Sequence, residues 1–374
     1  MQKWLSQIEK QIHQLKVEQE YRTLQYYNQI DFISNDYLGI VKKGILQKLM
    51  LKELSNGIPL GSTGSRLLSG NSIWHQEAED FFKEYFDCAD ALIVNSAYDA
   101  NVAVLSTFPS RKDIILYDEK VHASIKEGMR LSFASRYPVK HNDMNDLEKK
   151  IKKYRESIGD GQLFYVFETV YSMDGDVPEV QTIIKLAQQY EVILIADEVH
   201  AFGVFGDKGQ GLLQMYNCHK NISIRIIGFG KAGGTFGAVI AVQDSVIKAY
   251  LLNKARPVIY TTALSPFQVR VMHAATQLIA QNSNWRADLH FNIQVFQHLL
   301  PHLNIQTPII PIVIGDLTKL HAIHETVKNA GFDVAMVRSP TVPKGQERLR
   351  ISVHAHNTKQ EIEEVLGLIQ TCLT

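Results

Sequence analysis

Cysteine is scarce in this chain: three in 374 residues, Cys88, Cys218 and Cys372, lying far apart. That spacing offers neither a disulfide framework nor a metal-ligand cluster, so a reducing compartment and no bound metal are expected. Long apolar runs are also lacking. None approaches the length that spans a bilayer, and the N-terminal residues are polar and charged rather than signal-like, so a cytoplasmic protein without membrane association is expected. Nor is one sign of charge in excess, with 39 Lys plus Arg against 39 Asp plus Glu. Such balance leaves no footprint for nucleic acid. Repeats and low-complexity stretches are missing as well. The chain is ordinary globular material, 45% hydrophobic and 21% charged, and long enough for two or three domains.

Against that background one stretch stands out: Gly228-Phe229-Gly230-Lys231-Ala232-Gly233-Gly234. Apolar runs flank it, Ile222 to Ile227 and Ala238 to Val242, so a single lysine sits in a glycine-rich bend between two short strands. An ammonium held in such a place has its pKa pushed down, and a neutral amine is what forms a Schiff base with an aldehyde cofactor. A surface lysine in a polar turn reads the same way locally. The glycine spacing also matches a dinucleotide fingerprint. That motif needs a helix directly after it and an acid about 20 positions on. Gly234 and Gly237 discourage the helix, and positions 246 to 252 hold no acid.

Elsewhere the chain alternates strand and helix signals. Helical spacing of Trp4, Leu5, Ile8, Ile12 and Leu15 predicts a helix over residues 1 to about 27. Ser34 to Gly39 reads as a loop, and Gly57 to Gly70 as a longer one whose Arg66 can grip a carboxylate or phosphate. Strands are predicted at 91–94, 114–117, 163–167 and 192–196, several ending in residues with chemistry. Asn95-Ser96-Ala97-Tyr98 opens a helix whose free N–H groups suit phosphate. His122 and Ser124 follow one strand and the loop Tyr171 to Asp176 another, while Asp197-Glu198-Val199-His200 runs straight out of a third. Ligands of open parallel sheets bind beyond such strand ends, although Asp197 could equally be a helix cap. Beyond about 268 the character changes to a smaller α+β region with strands at 308–314, 333–337 and 349–353; Pro311 points to an edge. Arg348 and Arg350 share one face of the last strand. The divisions read from these changes are an arm over 1–45, a large α/β domain over 46–268 with a mostly parallel sheet, and a small domain over 269–374.

Taken together, Ser34 to Gly39, Gly64 to Asn71, His122-Ala123-Ser124, Ser172 to Asp176, Asp197 to His200, Phe229-Gly230-Lys231, Pro340 to Pro343 and Arg348-Leu349-Arg350 resemble the α-oxoamine synthases. These are a branch of the fold-type-I pyridoxal-phosphate enzymes, and the resemblance runs over nearly the whole chain. It implies pyridoxal 5'-phosphate as cofactor and a decarboxylative condensation of an amino acid with an acyl thioester. On the branch most resembled, the substrates are L-alanine and pimeloyl-CoA or its carrier-protein counterpart. Glycine acyltransferase, 5-aminolevulinate synthase and serine palmitoyltransferase activities are sister possibilities, and a catalytically silent protein of the same fold is another.

The same resemblance implies roles by position. Lys231 is the Schiff-base lysine and Asp197 the partner of the pyridinium nitrogen. His122 stacks on the ring and His200 bonds its phenolic oxygen. Ser172 contacts the cofactor; Ala97 and Tyr98 lie near its phosphate, and Thr262 reaches that phosphate from the second subunit of a homodimer. Arg350 holds the substrate carboxylate beside Asn35, and Arg22 with Thr341 binds the acyl substrate. Two departures stand out. The family usually has threonine where Gly228 stands, its hydroxyl on the phosphate, and glycine where Ala97 stands. Weaker cofactor retention is expected from the lost hydrogen bond.

Overall fold

The computed structural model describes residues 1–373. The chain divides into two compact units, one of residues 1–34, 292–353 and 357–374, the other of residues 35–291 and 354–356.

The larger unit is built on a seven-stranded sheet. Its strands are β2 (Asp90–Val94), β3 (Ile114–Asp118), β4 (Ser135–Val139), β5 (Leu163–Glu168), β6 (Val192–Asp197), β7 (Ile224–Gly228) and β8 (Ala238–Val242). They lie in the order β2-β8-β7-β6-β5-β3-β4, with β8 alone antiparallel to its neighbours. The central strands read as apolar runs because both faces are covered; every residue of β5 is buried. One face carries Val166, Ile195, Ile224 and Ile240, packed with the helices Ala97–Thr107 and Ala123–Leu131. Leu163, Tyr165 and Phe167 point to the opposite face.

The helix Ala97–Thr107 starts where the sequence places a cap: Ser96 Oγ accepts the Asp99 N–H at 3.0 Å. It meets the helix Ala123–Leu131 closely because position 128 is glycine. A Cβ there would fall 2.8 Å from the Asn101 carbonyl oxygen. The glycine-rich bend after β7 turns directly into antiparallel β8, pairing Gly228 with Ala238. A dinucleotide motif requires a helix at that point, so that reading is excluded.

The smaller unit holds a four-stranded sheet in the order β1-β10-β11-β9, made of β1 (Ile30–Phe32), β9 (Ile309–Val313), β10 (Phe332–Val337) and β11 (Arg348–Ser352). Strand β9, carrying Pro311, is at the edge as its proline requires. The first helix is shorter than its apolar spacing predicts, Gln2–Val17 rather than 1 to 27, and buries none of its residues. Gln19 takes a left-handed φ of 57°, which a helix cannot continue through. Among the described residues, no helix is long and apolar enough to cross a membrane.

Candidate active site

Parallel strands deliver their last residues to one edge of the sheet, and here that edge collects the polar groups in sequence. Strand β3 leads into His122, β5 ends in Glu168 just before Ser172, β6 ends in Asp197 ahead of His200, and β7 ends in Gly228 ahead of Lys231. Glu168 and Asp197 are register partners on adjacent strands.

Asp197 is 6% exposed, and its carboxylate is held at both oxygens. Oδ1 accepts the Val199 N–H at 2.9 Å, and Oδ2 accepts Asn101 Nδ2 at 2.8 Å. Asn101 also donates to Ser124 Oγ at 3.0 Å, and Ser124 Oγ lies 2.8 Å from His122 Nδ1. A continuous polar chain thus joins His122 to Asp197. Burial pushes the Asp197 carboxyl up, opposed by Asn101, the Val199 N–H and the charges of His122 and Lys231. Burial pushes His122 down; the Asp197 charge works against this and Lys231 works with it. Lys231, half-buried, is therefore close enough for its charge to act on both groups.

Glu168 is buried. Desolvation first, and then the Asp197 charge, raise it well above the carboxylate range, against N–H donors from His122 and Ser172. A neutral Glu168 sets no second negative charge against its register partner Asp197. On the other side His200 Nδ1 lies 2.7 Å from the Tyr37 hydroxyl, which donates to Asn35 Oδ1 at 2.9 Å. Ala97 and Tyr98 occupy the first turn of the capped helix, where backbone N–H groups lack intrahelical partners. Thr262 is exposed, its carbonyl accepting Asn95 Nδ2 at 3.0 Å.

A model of the family described as aminotransferase class I and II matches residues 27–369. The chain belongs to this family. It is 36% identical over 351 residues to the 8-amino-7-oxononanoate synthase of Hydrogenovibrio crunogenus, covering 92% of this chain and 87% of that one. The crystal structure of 8-amino-7-oxononanoate synthase from Francisella tularensis superposes with a TM-score of 0.78 at 28% identity, covering 92% of this chain and 98% of that one. Sphingomonas wittichii serine palmitoyltransferase gives 0.85 at 25% identity, covering 92% and 87%. The chain is an enzyme of this acyltransferase-type class, with pyridoxal 5'-phosphate as cofactor.

The side chains present suit that aminotransferase-family cofactor. A buried carboxylate hydrogen-bonded by two neutral donors suits a cationic partner, and a protonated ring nitrogen is one. The first turn of the helix Ala97–Thr107 suits a phosphate, and His122, a residue partly open to solvent, offers a ring to stack on the cofactor.

Ten of the thirteen expected site residues fall in the larger unit: Lys231, Asp197, His122, His200, Ser172, Ala97, Tyr98, Gly228, Thr262 and Asn35. Arg22, Thr341 and Arg350 fall in the smaller one. There Arg22 Nη2 donates to Thr341 Oγ1 at 3.1 Å, and buried Arg350 donates from Nη1 to Ser352 Oγ at 2.8 Å. Arg66 serves the fold rather than a ligand: its guanidinium pairs with Glu79 at 2.7 Å and with Asn71 Oδ1 at 3.0 Å. Tyr37, Asn101 and Glu168 were not singled out by sequence. Their partners lie 46 to 163 positions away, and no local pattern marks them.

Proposed function

We propose that this chain condenses L-alanine with a pimeloyl thioester, giving 8-amino-7-oxononanoate, carbon dioxide and free thiol, as a step of biotin synthesis. The carrying observation is the mutual electrostatic influence of Lys231, Asp197 and His122 at the carboxyl edge of the sheet. The named relatives supply the substrate class.

Pyridoxal 5'-phosphate, when bound, supplies an electron sink for the pair released as a bond to the amino-acid Cα breaks. The residues divide the remaining work. Asp197 holds a proton at the ring nitrogen, and Asn101 and the Val199 N–H fix its carboxylate for that contact. Lys231 would hold the cofactor through Nζ and, as a neutral amine, would accept the proton from alanine Cα. His122 offers its ring as a stacking surface, steadied at Nδ1 by Ser124. His200, braced by Tyr37 and Asn35, would hydrogen-bond the phenolic oxygen. Ser172 would contact the cofactor, and the helix start at Ala97 and Tyr98 would receive its phosphate, joined by Thr262 of the partner subunit in a homodimer. Arg350 binds the alanine carboxylate; Arg22 and Thr341 serve the acyl substrate.

A second reading is serine palmitoyltransferase-type chemistry, favoured by the 0.85 superposition. One experiment separates these. Holoenzyme is incubated with each of alanine, glycine and serine and each of pimeloyl-, acetyl-, succinyl- and palmitoyl-CoA, and the products are identified by mass spectrometry. The expected product is 8-amino-7-oxononanoate from alanine alone, absent with Lys231→Ala. Product only from glycine or serine would move the chain to a sister activity. No product from any donor or acyl thioester would leave a silent protein of the same fold.

A further inference from the structure

His141 lies outside the residues given a role above, yet it is bonded at both ring nitrogens. Nδ1 is 2.9 Å from Asp118 Oδ1 and Nε2 is 2.7 Å from Asp176 Oδ2. Asp118, fully buried at the end of β3, also accepts the Lys120 N–H at 2.9 Å and the Asn142 N–H at 3.0 Å, as an ionised carboxylate does. Asn142 Nδ2 reaches the same Asp176 oxygen at 2.7 Å. The Tyr171 ring meets the imidazole edge to face at 4.5 Å. Asp174, the other acid of this group, pairs with Lys120 at 3.2 Å.

Two carboxylates facing two ring nitrogens leave one arrangement of protons. Each nitrogen must donate, because a neutral ring would set a lone pair against a carboxylate oxygen. The bridged segments are those that carry cofactor-facing residues. Asp118 closes the turn running to His122. Asp176 ends the tight turn containing Ser172, in which Tyr171 N–H donates to the Asp176 carbonyl at 3.1 Å and Gly175 N–H to the Tyr171 carbonyl at 2.8 Å.

We propose that His141 is a positioning residue: as an imidazolium strut between Asp118 and Asp176 it holds the Ser172 turn against the His122 turn and so sets how tightly the site keeps its cofactor. The inference rests on the cofactor reading above. Burial alone would lower the His141 pKa, but the hydrogen bonds to Asp118 and Asp176 outweigh it and raise it to about 9. With the folded value above the unfolded one, the strut's contribution is complete below about pH 6.5 and is lost as pH rises through about 9.

The test has two arms. In apoprotein, NMR of labelled imidazole should show His141 titrating near 9. His141→Gln should flatten the fall in melting temperature between pH 7 and 10. In holoenzyme, pyridoxal phosphate dissociation is followed by absorbance across the same range for wild type, His141→Gln and Asp176→Asn. The ratio of variant to wild-type dissociation constants should be about tenfold at pH 7, the worth of one charge-assisted hydrogen bond. It should converge toward one above pH 10, because wild type loses the same strut there; taking the ratio cancels the pH dependence of Lys231 itself. Titration of His141 near 6.5 would overturn the strut. A ratio of one at pH 7, with the imidazole titrating high, would overturn its hold on the site. Failure of the cofactor reading would show separately, as no pyridoxal phosphate binding by wild type.

Discussion

At position 228 the residue and its surroundings have to be read together. A Cβ on Gly228 would stand 2.9 and 3.0 Å from the two Val199 methyls and 3.2 Å from the Ala97 Cβ. The space a threonine would take is therefore already filled by Val199 and Ala97. Val199 is β-branched and stiff, and its N–H is fixed to Asp197. Gly228→Thr, which by sequence alone should restore a phosphate contact, is instead expected to cost about 1–3 kcal/mol by overpacking and to loosen Asp197. Ala97→Gly together with Val199→Ala should recover much of that loss in the Gly228→Thr background. Thermal unfolding of the apoproteins measures both, and a single Gly228→Thr variant as stable as wild type would show that the strand end yields.

Between elements, the tightest joint near the site is the crossing of the helices Ala97–Thr107 and Ala123–Leu131. One carries Asn101, and the other begins at His122 and Ser124. Position 128 brings them together: an added Cβ would meet Asn101 O at 2.8 Å, Leu105 Cβ at 3.0 Å and Val102 Cα at 3.1 Å. Alanine favours a helix over glycine by about 1 kcal/mol, yet backbone atoms cannot move aside cheaply, so overpacking should win. Gly128→Ala is expected to lower stability by about 1–3 kcal/mol. By parting Asn101 from Ser124 it should also weaken pyridoxal phosphate binding. Unchanged binding with reduced stability would detach the helix joint from the site.

The same elements show what the sequence could and could not convey. Strands β3, β5, β6 and β7 were legible because their residues form short apolar runs, and the polar residues after them stood out against those runs. Strand β4 was not: Ser135-Arg136-Tyr137-Pro138-Val139 lies at the sheet edge, mostly exposed, with neither an apolar run nor alternation. That the first helix ends at Val17 rather than near 27 was not legible either, because a local stripe says nothing about the left-handed residue beyond its end. Tyr37, Asn101 and Glu168 depend on which strand lies beside which, information carried by topology rather than spacing.

For the whole molecule, the question is whether the site is complete in one chain. The glycine-rich loop is lashed to the segment that carries Thr262. Ala263 N–H donates to Gly64 O at 2.9 Å, and Ser62 Oγ donates to Leu264 O at 2.7 Å. On those two segments Leu68 is 83% exposed and Tyr260 77%, with Leu60 and Leu67 exposed as well. Exposed apolar side chains on two segments bonded to each other are the kind of surface a second subunit would cover. A homodimer closed over this surface is the expected assembly. Light scattering should give twice the chain mass for wild type and a single chain for Leu68→Asp with Tyr260→Asp. Whether Thr262 then serves the partner's site follows from mixing two weakened variants, Lys231→Ala and Thr262→Ala. In a hybrid dimer, the Thr262→Ala chain keeps its own lysine and receives an intact threonine from its partner, so one site is whole. The other site carries both lesions. After subunit exchange at equal concentrations, about a quarter of all sites should be intact by statistics of a two-fold assembly. Activity should then rise above the mean of the separate variants. If Thr262 acts within its own chain no hybrid site is whole, and the mixture stays at that mean.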